Sequence, residues 1–372
     1  MPPGSWRAFA PARHAALGFS EHAAPSLVFV LTGVVLGPEL LDVLSVNLLA
    51  QFDPAVSVTL AVLGIFVGSG LSAAASHGRV TFWWVTGATL QGLITFGTVA
   101  AAMYLLLHQW GLPLPVDPLT GAAVLGLCST VSAAVRETGS GTASNAARIA
   151  DFDDLLLVAL GAFAVAWLAG WSSLVVVVGL TLVGGVVIAV AGAVLLAFSG
   201  TAPERSVFVT GTVFLLGGAA AYTGTSPLVS GCVAGLLWAR MQRSVTALVD
   251  SDLKKLQHPL VAILLVIAGA SIQFTYQLLW LAAPLVLFRL TGKLIGSLVT
   301  ARLFGLPAGL LATYLAPPGL LGIALALNIQ QVLSTGDTLL VSAVTASTVA
   351  AELLALVLVI FQPLALSSVE AA

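Results

Sequence analysis

From residue 25 to residue 364 the chain alternates long apolar segments with short turns, and nearly every ionisable side chain falls in a turn. The segments run 25–41, 55–75, 81–107, 119–135, 149–170, 172–199, 206–222, 226–239, 257–273, 278–301, 307–329 and 338–364. A helix needs about 20 apolar residues to cross the hydrocarbon of a bilayer. Only 13 basic and 15 acidic residues are spread over 372 positions, 8% of the chain. An ordinary soluble domain has roughly 25% and needs them to cover its surface. The pattern therefore predicts an all-α integral membrane protein with about twelve transmembrane helices. Twelve spans of about 20 residues consume most of the length, so residues 1–372 are read as a single membrane domain with no soluble regulatory domain. A net charge of −2 argues against nucleic acid as a partner, because that recognition wants a basic face.

Local features refine this reading. The fifth and sixth segments nearly touch at Ala169-Gly170-Trp171-Ser172, and a single helix through both would be over twice as long as a bilayer needs, so a tight hairpin is expected. The small residues between Gly179 and Gly192 suit close helix packing in lipid. Cys128 and Cys232 both lie in apolar runs, which does not indicate a disulfide framework, and the first 20 residues do not read as a cleavable signal peptide.

The basic residues test the helix count. With the N-terminus inside, strict alternation puts Arg7, Arg13, Arg79, Arg136, Arg148, Arg205, Arg240, Arg243, Lys254, Lys255 and Arg302 on the inner side. That is eleven of the 13; the outer loops hold none, and carry Asp42, Asp53, Asp117 and Asp337. Cytoplasmic loops are enriched in Lys and Arg, so both termini are expected in the cytoplasm.

The remaining basic residues, Arg289 and Lys293, lie inside the tenth segment, Asp153 and Asp154 inside the fifth, and Glu352 inside the twelfth. Ionisable groups in lipid are costly unless paired or hydrated, which makes them functional candidates; the alternative is that they are packing ion pairs between helices. At 1.5 Å per residue, Asp154 lies about 9 Å from the inner end of its helix and Lys293 about 13 Å from the inner end of its own, so the two depths match. Successive helical residues point about 100° apart. One carboxylate of the pair can therefore face Lys293 while the other faces a water-filled cavity.

Two segments carry breaks. Ala316-Pro317-Pro318-Gly319 interrupts the eleventh near its middle, because proline removes backbone donors and clashes with the preceding turn. Cys128-Ser129-Thr130-Val131-Ser132 puts a hydroxyl cluster in the otherwise apolar fourth. Those hydroxyls either bond their own backbone or line a site. Broken helices at matching places in two halves mark transporter ion sites, and segments three to five and ten to twelve begin on opposite sides, as inverted repeats do.

These residues resemble a known family, the monovalent cation:proton antiporters of the Kef and NapA type. Leu36-Gly37-Pro38-Glu39-Leu40-Leu41 resembles the signature of their first core helix. Ser129-Thr130 resembles the hydroxyl pair of their broken fourth helix, and Phe152-Asp153-Asp154-Leu155 their ion site. The run Ser226 to Leu237, the run Arg289 to Gly296 with its lysine, Pro317-Pro318-Gly319 to Ala326, and Glu352 follow in the family's order. Cys232 departs from the family's usual alanine, and Asp153 stands where Kef-like members have glutamine.

The resemblance implies the antiporter fold: inverted repeats whose two broken helices cross. It also implies a mobile core of about 81–170 and 278–364, a dimerisation scaffold of about 25–75 and 172–273, elevator-type alternating access and a homodimer in a bacterial inner membrane. It assigns Asp154 as carrier of the cation or proton and Asp153 as partner of Lys293. Thr130 and Ser129 would be oxygen ligands, and Arg289 and Glu352 supporting charges that neutralise each other. A carboxylate held by burial and a like-charged neighbour near neutral pKa can take a proton or a cation but not both, which couples the two flows. The expected partners are protons and monovalent cations, Na+ or Li+, in electrogenic exchange, with no cofactor and no enzymatic activity. A K+/H+ antiporter or K+ efflux system is the alternative. An intramembrane aspartyl protease is a distant one, because it needs its two Asp on separate helices.

Overall fold

The computed structural model describes residues 26–75, 79–111, 116–132, 149, 152, 161, 171–240, 243–306, 308–315, 317–333 and 338–370. Among these the regular elements are all helices: α1 (Ser26–Leu36), α2 (Val46–Gln51), α3 (Asp53–Ala75), α4 (Arg79–Trp110), α5 (Pro118–Cys128), α6 (Trp171–Phe198), α7 (Ala202–Thr223), α8 (Pro227–Trp238), α9 (Arg243–Ala270), α10 (Tyr276–Phe304), α11 (Ala308–Leu315), α12 (Leu320–Leu333) and α13 (Leu339–Glu370). Six of them contain stretches long and apolar enough to cross a membrane: Asp53–Gly70, Phe82–Trp110, Val175–Phe198, Ala202–Thr223, Asp252–Ala270 and Tyr276–Phe304. All of these but Asp53–Gly70 expose most of their length. On α6 the exposed residues include Val175 at 78% and Phe198 at 83%, a surface suited to lipid and not to water. The chain is an integral membrane protein.

The helices fall close to the predicted apolar segments, and both expected breaks are present: the fourth segment stops being helical at Cys128, and the eleventh is two helices, α11 and α12. A short α2, not expected, lies before α3, and α9 begins at Arg243, well before its apolar segment. The fifth segment lies almost wholly outside the described residues. Helix ends follow local chemistry. Asp117 caps α5 by accepting from the Thr120 amide, with Pro118 in the first turn. Thr201 and Glu204 form a capping box on α7. Both α7 and α10 end on left-handed glycines, Gly224 and Gly305.

Packing depends on close backbone approach. Gly64 and Gly68 on α3 meet the backbone of Leu228 and Cys232 on α8, and Gly231 and Gly235 on α8 meet that of Ala61 and Ile65 on α3; a Cβ on Gly64 would lie 2.0 Å from the carbonyl oxygen of Leu228. In lipid, where burying apolar surface drives little, small residues four apart let two helices touch along their backbones. The glycine-rich stretch of α6 does this only in part: Gly185 meets Ser230 and Gly192 meets Thr212, whereas Gly179 and Gly184 face open space. Around the third and tenth segments, α10 packs along α4 and also touches α11 and α13, while α5 packs on α4 and α12. Cys128 and Cys232 are both buried free thiols.

Candidate functional site: the crossing of two broken helices

Helix α5 ends at Cys128. Ser129 and Thr130 make a turn, and Val131 and Ser132 continue as extended chain. Helix α11 ends at Leu315, and beyond it the chain bends at Pro317 and passes through Pro318 and Gly319 before α12 begins at Leu320. The two interruptions meet: Ser132 and Pro318 form an antiparallel backbone bridge. The expected crossing of two broken helices is therefore present. Its tightness depends on Gly319, where a Cβ would lie 2.2 Å from Val131 Cγ1 and 2.6 Å from the Ser132 carbonyl oxygen. Gly322 is similarly placed, 2.5 Å from the Cys128 carbonyl oxygen.

Each helix that stops mid-membrane leaves carbonyls without helical partners and a partial negative charge at its C-terminal end. Here the ends of α5 and α11 converge in one place, which calls for positive charge. Helix α10 supplies it. Arg289 and Lys293, one turn apart on the same face, are 3% and 2% exposed. Arg289 Nη2 donates to the carbonyl oxygens of Val131 at 2.6 Å and Pro317 at 3.5 Å. Lys293 Nζ donates to the carbonyl oxygen of Thr130 and, at 2.8 Å, to Ser132 Oγ. Ser132 Oγ in turn donates to the Leu315 carbonyl oxygen at 3.1 Å. The guanidinium thus spans both breaks, and the ammonium reaches the second through Ser132.

The hydroxyls of the broken fourth segment are largely occupied with their own helix. Ser129 Oγ donates to the Leu125 carbonyl oxygen at 2.7 Å and Thr130 Oγ1 to that of Leu127 at 2.8 Å. A donating hydroxyl still has lone pairs to offer, so these bonds orient both oxygens without using them up. Pro317 and Pro318 sit in the break, buried. Asp153 and Asp154 lie outside the described residues. Ile149 and Phe152, close to them in sequence, are buried against Ala88 of α4, Ala301 of α10, and Leu311 and Leu315 of α11.

Glu352 on α13 is 8% exposed. Its carboxylate accepts from Ser26 Oγ of α1, at 3.2 Å for Oε2 and 3.4 Å for Oε1. Arg289, expected to neutralise Glu352 in a supporting role, donates to the carbonyl oxygens of the crossing.

Ser132 is the residue whose particular role the sequence reading missed. It was visible as the last member of the hydroxyl cluster, but nothing in the sequence distinguished the hydroxyl that faces α10 from those that face their own helix. Gln91 and Thr95 of α4, buried and bonded to each other at 3.2 Å, were missed as well. They pack against Gly296 and Gly292 of α10, so a glycine one residue before Lys293 and another three residues after it was the signal available.

No family model and no curated relative matches the sequence. Among solved structures the chain is similar to the sodium proton antiporter MjNhaP1 from Methanocaldococcus jannaschii at pH 8, with a TM-score of 0.63 and 15% sequence identity over 96% of this chain and 97% of that one. The helices and the crossing are those of a membrane antiporter fold. At this identity the likeness is one of fold, and it extends along essentially the whole of both chains.

Proposed function

We propose that this protein is a secondary antiporter that exchanges a monovalent cation for protons by alternating access, with no enzymatic activity. The observation that carries the reading is the crossing: two helices broken at mid-membrane, their carbonyl ends held by a buried Lys293 and Arg289. Such backbone breaks are tolerated in lipid only where they line a cavity or are buried in protein, and they recur at the ion sites of transporters. The similarity to a sodium proton antiporter supports the same reading. Asp154 is the group that takes cation or proton in turn. Asp153 balances Lys293, and Thr130 and Ser129 contribute neutral oxygens of the kind hard cations prefer. Na+, or Li+, is the cargo. Because Lys293 releases a second proton, exchange moves two protons per cation and is electrogenic.

Helices α4, α5 and α10 to α13 form the moving core, in an elevator motion against a scaffold of α1, α3 and α6 to α9 that also joins two copies of the chain. The scaffold reading draws support from the backbone-to-backbone packing of α3 on α8. The eleven-to-none distribution of basic residues supports cytoplasmic termini in a bacterial inner membrane.

The test uses the purified protein in vesicles loaded with a pH dye. Sodium pulses should drive proton movement, potassium pulses less, and an imposed voltage should change the rate. Asp154→Asn, which keeps the side-chain volume and removes the charge, should abolish exchange while the protein still inserts. Sodium-driven proton movement retained in that variant would remove Asp154 from the carrier role. No cation-driven proton movement in wild type would overturn the antiporter reading.

A further inference from the structure

We infer that Ser132 is a positioning residue that sets the cation affinity of the crossing by holding Lys293 on the Thr130 carbonyl. The inference rests on the antiporter reading and deepens it at the same site.

The Ser132 hydroxyl sits between two demands. It accepts from Lys293 Nζ at 2.8 Å and donates to the Leu315 carbonyl oxygen at the end of α11 at 3.1 Å. Its backbone pairs with Pro318 across the break, and the residue is 3% exposed. The hydroxyl therefore cannot swing away without abandoning a buried carbonyl. Its lone pair is fixed in direction, and an ammonium is drawn to it by a charge-assisted bond. The second bond of that ammonium goes to the carbonyl oxygen of Thr130, the residue whose oxygens are proposed to receive the cation. Lys293 Nζ thus occupies an oxygen that a monovalent cation would use, as a tethered competitor. Whatever strengthens its hold weakens the incoming cation by the same factor, because a ligand must displace the group already there.

The consequence has an unusual sign. A residue that only braces the fold should, when removed, loosen the site and raise the cation concentration needed for half-maximal exchange. Removing the Ser132 hydroxyl should lower it. Ser132→Ala deletes one hydrogen bond to a charged group, and the half-saturating cation concentration should fall on the order of tenfold, the worth of one such bond. The maximal rate should stay the same or fall, because the ammonium returns less firmly after each release. Ser132→Thr keeps the hydroxyl and should restore the wild-type half-saturation.

The experiment measures half-saturation and maximal rate separately for wild type, Ser132→Ala and Ser132→Thr in dye-loaded vesicles under sodium pulses. Ser132→Cys keeps the volume with a much weaker hydrogen bond, and carries the same sign of change where Ser132→Ala does not fold. Lower half-saturation in the alanine or cysteine variant, with recovery in the threonine variant, supports the inference. Unchanged or raised half-saturation in a folded alanine or cysteine variant overturns it while leaving the antiporter reading in place. Absence of exchange in wild type overturns that reading and this one with it.

Discussion

Arg289→Leu should destabilise the protein more than any other single loss of charge at the crossing. The guanidinium is 3% exposed and spans both broken segments, with its bond to the Val131 carbonyl oxygen at 2.6 Å much stronger than the one to Pro317 at 3.5 Å. Leucine fills a similar space and donates nothing. The short bond from a charged donor contributes about 1.5–3 kcal/mol, and the Val131 carbonyl, buried without it, costs about 1–3 kcal/mol more. Against this, leucine removes a charge whose burial is itself costly. The net loss expected is about 2–4 kcal/mol, at or somewhat below the roughly 3–5 kcal/mol that removing one partner of a buried charged pair costs.

Arg289→Lys separates charge from geometry. It keeps the positive end facing the two helix C-termini but gives up the fork that reaches two carbonyls at once, so its loss should be about half as large. The assay is thermal unfolding of the detergent-solubilised protein, where each kcal/mol shifts the midpoint by about 1–2 °C at this chain length. A leucine variant that melts with wild type, or a lysine variant that loses as much as the leucine one, would refute the reasoning. In the first case the carbonyls need no donor; in the second the charge contributes nothing. Adding Glu352→Gln gives a further check. The two side chains have separate partners, Val131 and Pro317 for one and Ser26 for the other, so their coupling in a double-mutant cycle should stay below about 1 kcal/mol.

Two other outcomes follow from the same geometry. Lys293→Gln should remove the voltage dependence of the cation gradient that nulls proton flux. With one net charge moved per cycle that gradient shifts about fifty-fold per 100 mV in wild type, from about 2.3 kcal/mol per charge, and a wild-type slope retained in the variant would show that Lys293 carries no proton. Gly319→Ala should lose about 1–3 kcal/mol by overpacking, because its Cβ would fall 2.6 Å from the Ser132 carbonyl oxygen. Gly97→Ala, whose Cβ meets nothing within 4 Å, should gain up to about 1 kcal/mol from helix propensity; equal melting of the two variants would contradict the tight crossing.

Much of the architecture was legible in the sequence because its causes are local or one-dimensional. A bilayer selects helices of fixed length from apolar runs, so the segment list anticipated nearly every helix the structure describes. Pro317-Pro318-Gly319 had to interrupt its helix, since two prolines delete two amide donors wherever they stand. The buried positions of Arg289 and Lys293 followed from an otherwise apolar segment, and their shared face from a spacing of four. Asp153 and Asp154 were singled out by the same logic, and lie outside the described residues. What tertiary structure decided was which groups meet. The hydroxyl cluster of the fourth segment marked a break, but that the chain pairs there, Ser132 with Pro318 nearly two hundred residues away, is a contact no local pattern encodes. That the Arg289 guanidinium reaches the carbonyls of Val131 and Pro317 was likewise decided by the fold. Backbone carbonyls are identical in every residue, so a sequence cannot mark the few that a break leaves without partners. Ser132 carries the same lesson: its hydroxyl looks like those of Ser129 and Thr130 in the chain, and only the approach of α10 to the crossing makes it the one that holds Lys293.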